Sequence, residues 1–121
     1  MNLCNINEIK ALLARHGFRF SKSMGQNFLI EDWVPSDIAY ASGAKEGCGV
    51  LEVGPGIGPL TQQLAKRADK VVSVELDKAL YPILAETMAE HSNFELVSGD
   101  ILKVDIPALV REKFQGLDAI A

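Results

Sequence analysis

The stretch Val50-Leu51-Glu52-Val53-Gly54-Pro55-Gly56-Ile57-Gly58-Pro59-Leu60 constrains this chain more than any other. A short apolar run interrupted by an acid is followed by glycines at alternate positions, and Pro59 then opens helix-like sequence. The pattern reads as a buried strand, a tight turn and a helix N-terminus. Glycine is needed where the backbone takes a positive φ or where a ligand comes close to it. Proline suits the first position of a helix, where its missing N–H costs nothing. Such a turn aims free N–H groups over the end of the strand. The spacing is G-x-G-x-G, which departs from the G-x-G-x-x-G of dinucleotide-binding turns. A glycine-rich turn with no ligand is the plain alternative.

The rest of the chain repeats the strand–helix alternation. Ile6, Ile9, Leu12 and Leu13 recur at helical spacing over 5–16, with Asn5 as cap and Gly17 as stop. Residues 18–30 mix aromatics, bases and side-chain amides without a clean period. A second helix is expected over 32–42 with Ile38, Ala39 and Ala41 inward. Strands are expected at 49–53, at 70–75 (a β-branched run typical of a strand covered on both faces), at 93–98 and at 117–121. Helices are expected over 58–67, after Asp77, and over 106–114. Pro82 conflicts with a regular first turn in the helix after Asp77, so that helix should start late or kink. The sum is a doubly wound, parallel α/β arrangement. Right-handed crossovers put the first strand in the centre, the second and third on one side and the fourth on the other.

Composition sets the outer limits. A chain of 121 residues, 48% hydrophobic and 23% charged, suits one soluble domain with a real core. It has no apolar run long enough to cross a membrane and no apolar signal region at its start. Cys4 and Cys48 have neither metal-site nor redox spacing; two lone thiols suit a reducing cytoplasm. Charge is uneven: residues 1–24 hold Lys10, Arg15, Arg19 and Lys22 against Glu8, a net +3, so the remainder carries −7 of the chain's net −4. An acidic body with a basic arm is not a self-sufficient nucleic-acid binder.

The chemistry gathers at strand ends, where open α/β sheets bind ligands. Glu75 closes the second strand, and a carboxylate there can accept from two neighbouring ribose hydroxyls. Asp100 follows Gly99 at the end of the third strand. It can accept from the exocyclic amine of an adenine or, as the local alternative, from its own backbone in a turn.

These segments carry a resemblance. Glu52 with Gly54, Gly56 and Gly58 resembles the first motif of S-adenosylmethionine-dependent methyltransferases. Taken with Met24-Gly25-Gln26-Asn27-Phe28-Leu29, Val74-Glu75-Leu76-Asp77 and Ser98-Gly99-Asp100-Ile101-Leu102-Lys103-Val104-Asp105, it resembles the ribosomal RNA adenine dimethyltransferases of KsgA type, and less closely the Erm antibiotic-resistance methyltransferases. The resemblance implies a Rossmann-like S-adenosylmethionine-binding fold preceded by helices, and an enzyme that methylates N6 of adenines in small-subunit rRNA during ribosome biogenesis. It implies that Asn27, Leu29, Gly54, Gly56, Glu75, Leu76, Asp100 and Ile101 surround the cofactor, with Gly54 at its amino-acid portion, Glu75 at the ribose and Asp100 at the adenine, and that no metal takes part. It divides the chain into a helical arm with a cofactor-covering segment, 1–43, and the first half of the cofactor domain, 44–121.

The family's catalytic N-L-P-Y motif follows a fourth strand like 117–121. The resemblance therefore sets the catalytic residues beyond Ala121, and this stretch alone is expected to be inactive. The whole protein is expected to be a cytoplasmic monomer working on small-subunit rRNA or the pre-30S particle, and the fragment to self-associate through the edge of its fourth strand. An Erm-type enzyme acting on 23S rRNA and a non-catalytic RNA-binding or ribosome-assembly module on the same fold remain as alternatives.

Overall fold

The computed structural model describes residues 1–18 and 33–121. Helix α1 spans Ile6–Arg15, and the Asn5 side chain accepts from the Asn7 and Glu8 N–H groups, as a cap should. Helix α2 spans Trp33–Ala41. Strand β1 (Cys48–Val53) leads through the glycine turn into α3 (Pro59–Arg67), where proline occupies the first turn. Strand β2 covers Lys70–Glu75. Asp77 then caps a short 3-10 turn, Lys78–Leu80, and α4 begins only at Tyr81 and runs to Thr87, with Pro82 in its first turn. The helix starts late because a proline is tolerated only where no N–H is required. Strand β3 (Phe94–Ser98), a 3-10 turn at Ile101–Lys103, helix α5 (Ile106–Lys113, capped by Asp105) and strand β4 (Asp118–Ile120) complete the described chain.

All pairings are parallel and the strand order is β3-β2-β1-β4, the order that right-handed crossovers dictate. Side chains alternate across the sheet. Val50 and Val71 face Ala39, Leu64, Ala65 and Met88 on one side. Leu51, Val72 and Val74 face Leu109 and Phe114 on the other. Helix α1 adds a third cluster: Leu3, Ile9, Leu12 and Leu13 close over Ile57 of the glycine turn and Ile83 of α4. Its C-terminal end is tied to α4, since Arg15 Nη2 lies 2.8 Å from Glu86 Oε1 and His16 Nε2 lies 2.7 Å from Glu86 Oε2. The His16 ring and the Arg15 guanidinium hold the Glu86 carboxyl below the usual carboxylate range.

One expectation about α2 fails. Ala39 is buried, but Ile38 is 48% exposed and Ala41 is exposed. The helix presents Pro35 and Ala39 inward instead, a spacing of four residues that puts both on one face. Among the described residues, no helix is long and apolar enough to cross a membrane.

Candidate cofactor site

The ends of β1, β2 and β3 are stitched together by backbone hydrogen bonds. The Gly54 N–H donates to the Val74 carbonyl at 2.9 Å, and the Gly99 N–H donates to the Glu75 carbonyl at 3.0 Å. Over this seam lies a cavity of about 140 Å³, walled by Val53 and Gly54 at the end of β1, Glu75 and Leu76 at the end of β2, and Gly99, Asp100 and Ile101 after β3. The structure thus brings five of the sequence-derived candidates, Gly54, Glu75, Leu76, Asp100 and Ile101, to one concavity. Gly56 joins them through its N–H, which donates to Glu75 Oε1 at 3.3 Å. Asn27 and Leu29 fall outside the described residues. A larger cavity of about 370 Å³ lies between Asn2–Cys4 and the outer face of α3, and no strand-end residue lines it.

The glycines of the turn divide by role. Gly54 and Gly56 have φ of +69° and +62°, and a Cβ on either would meet nothing within 4 Å. Among the described residues, nothing packs on that side of either glycine. Gly58 differs: its Cβ would stand 3.0 Å from Thr87 Oγ1, so α4 presses against it. The turn is therefore closed on its helix side and open toward the cavity, the shape needed if a ligand's backbone-sized portion rests there.

The acids are held in place. The Glu75 carboxylate also accepts from the Asp77 N–H at 3.0 Å, so β2's terminal acid bridges the glycine turn and the turn that follows it. Asp77 itself caps the next turn through Ala79. Asp100 Oδ1 accepts from the Leu102 N–H at 2.9 Å, which is the local turn reading of this residue; its second oxygen takes no hydrogen bond among the described residues. Among the described residues, the wall contains two carboxylates. Such a surface accepts from hydroxyl and amine donors.

Sequence reasoning noted Glu52 only as part of a motif and missed what it does. It is 8% exposed, and its Oε1 accepts from Thr61 Oγ1 of α3 at 2.6 Å and from Ser73 Oγ of β2 at 2.8 Å. One buried carboxylate so joins the strand before the glycine turn, the helix after it and the neighbouring strand. A polar residue in an apolar strand run, with hydroxyls at the first turn of the next helix and inside the next strand, was the available signal. Burial pushes the Glu52 carboxyl up, and the nearby Glu75 adds to this, against the two hydroxyl donors. A folded-state value above the unfolded one means that the native chain holds this proton longer. The Glu52 contribution to stability is then full below the unfolded value and is lost as pH rises through the folded one. Glu52→Gln keeps an acceptor for both hydroxyls without the charge. Thermal denaturation against pH should show the glutamine variant gaining on the parent between the carboxylate range and neutrality; a constant difference would contradict a burial-raised Glu52.

Residues 17–121 match the family model for ribosomal RNA adenine dimethylase. The chain belongs to that family. It is 48% identical over 107 residues to the ribosomal RNA small subunit methyltransferase A of Alkaliphilus oremlandii, and 49% identical over 105 residues to the protein of the same name from Geobacillus thermodenitrificans. These alignments cover 88% and 87% of this chain but only 37% and 36% of the relatives, so the chain spans a little over a third of their length. The crystal structure of the 23S rRNA methyltransferase ErmE superimposes with a TM-score of 0.58 at 29% identity, covering 69% of this chain and 41% of that one. The Rossmann-like methyltransferase fold expected from the sequence is therefore the fold observed. The family match takes in the glycine turn, Glu75 and the Gly99–Asp100 turn, together with the segment holding Asn27 and Leu29.

Proposed function

We propose that this chain is the cofactor-binding portion of an S-adenosylmethionine-dependent rRNA adenine-N6 dimethyltransferase acting on small-subunit rRNA. The observation that carries the reading is the strand-end concavity, where an open glycine turn, Glu75 and Asp100 meet. The group fits these residues. Glu75 would accept from the ribose hydroxyls and the second oxygen of Asp100 from the adenine amine, between Leu76 and Ile101, while Gly54 and Gly56 leave room for the amino-acid portion. Asn27 and Leu29, from the 1–43 arm, would complete the site above the 44–121 domain. When bound, the cofactor supplies an electrophilic methyl on a cationic sulfur. The chain's own part is to hold the ribose and adenine by acidic side chains and to leave room for the amino-acid portion at the glycine turn.

The small-subunit target is favoured over an Erm-type target by relatives named for the small subunit at 48% and 49% identity, against 29% to ErmE. The pre-30S particle is the corresponding assembly partner, and the cytoplasm the corresponding compartment. Two measurements test the reading. A thermal-shift titration should show stabilisation by S-adenosylhomocysteine and none by NAD. The full-length protein should transfer labelled methyl from S-adenosylmethionine to small-subunit rRNA and not to 23S rRNA. Stabilisation by NAD alone, or methylation confined to 23S rRNA, would overturn it.

A further inference from the structure

Tyr81 stands next to the candidate site without touching the cavity. It opens α4, is half-buried, and its phenol donates to the Glu75 carbonyl at 2.7 Å. That same carbonyl accepts from the Gly99 N–H at 3.0 Å, so both of its lone pairs are engaged. The Glu75 carboxylate is held from the other side by the Gly56 and Asp77 N–H groups. Glu75 is thus fixed at both its peptide and its side chain, and Tyr81 is the only side chain among the described residues that takes part.

From this geometry we infer that Tyr81 is a positioning residue for the cofactor's ribose: its hydroxyl sets the Glu75 peptide and so the aim of the Glu75 carboxylate relative to Asp100. The inference rests on the cofactor reading above. A peptide anchored by two donors cannot rotate without breaking one, and the Cα–Cβ direction of Glu75 follows the peptide. With the phenol oxygen gone, the carbonyl keeps Gly99 alone and the plane gains a degree of freedom. The Gly99–Asp100 turn hangs from the same carbonyl, so the ribose and adenine contacts would loosen together. Chemistry beyond hydrogen bonding is not required of Tyr81, and a phenylalanine should fold in its place because only the oxygen is lost.

The test is a double-mutant cycle on the full chain, read by calorimetry with S-adenosylhomocysteine. Tyr81→Phe should weaken binding about three- to tenfold, the scale of one neutral hydrogen bond. Made in a Glu75→Gln background, the same change should cost less than about twofold, because its route to the ligand has been altered. Hydrogen exchange should quicken at the Gly56, Asp77 and Gly99 amides in Tyr81→Phe while Val71 and Val72 keep their protection. An equal loss in both backgrounds, or no loss in either, would overturn the positioning role while leaving the cofactor reading intact. Failure of the unsubstituted chain to bind S-adenosylhomocysteine would overturn both.

Discussion

Glu75→Ala is expected to weaken S-adenosylmethionine binding by about 1–3 kcal/mol, roughly 5- to 150-fold in Kd. The change removes more than the proposed acceptor for the ribose. The Gly56 and Asp77 N–H groups both donate to this carboxylate, so alanine leaves two turn donors facing the cavity and frees the glycine turn to move. Glu75→Gln retains one oxygen and should fall between the parent and the alanine variant. Isothermal titration of the three proteins with S-adenosylhomocysteine checks the series. If all three bind alike, Glu75 is a turn-bracing residue and the ribose must be held elsewhere.

The second large effect is on stability and lies far from the ligand. Gly49 is an interior residue of β1, paired with Lys70 on one side and Ala119 on the other, and the Phe114 ring occupies the place its side chain would take. A Cβ added there would come within 2.6 Å of Phe114 Cγ. Phe114 is 3% exposed and wedged in the Leu51, Val72 and Leu109 cluster, so the ring cannot swing aside cheaply. Gly49→Ala should therefore cost about 1–3 kcal/mol through overpacking. The expected fall in Tm is on the order of 5–10 °C. The phenylalanine is the cause, so Phe114→Leu should cost less in the alanine background than in the parent. Differential scanning calorimetry of the four proteins decides it; a Gly49→Ala variant as stable as the parent would show that the ring gives way freely.

What the sequence made legible was the part governed by neighbours along the chain. Asn5 and Asp77 announced caps, Pro82 announced a delayed helix start, and the β-branched run 70–75 announced a covered strand. Strand order followed from crossover handedness, and the strand order alone brings Gly54, Glu75 and Asp100 to one edge. The remainder depends on pairs that periodicity cannot see. Glu52 needs donors 9 and 21 residues away, Arg15 meets Glu86 across 71 residues, and Gly49 owes its missing side chain to Phe114. Ile38 is apolar yet faces outward, because Pro35 and Ala39 fill the core-facing place on this short helix. Tyr81 could not have been singled out at all: a tyrosine at a helix start is ordinary until its hydroxyl is seen on the Glu75 carbonyl.

The central position of β1 has a consequence for how the protein is made. Among the described strands β1 is synthesised first, yet β4, its partner on one side, is only residues 118–120. Everything from 54 to 117 must be synthesised first, which at ordinary rates takes on the order of several seconds. Through that interval β2 can cover one flank of β1, while the Cys48, Gly49 and Val50 flank waits with its peptide groups unpaired beside an apolar surface. The nascent chain is most open to misassociation while its central strand is half-enclosed.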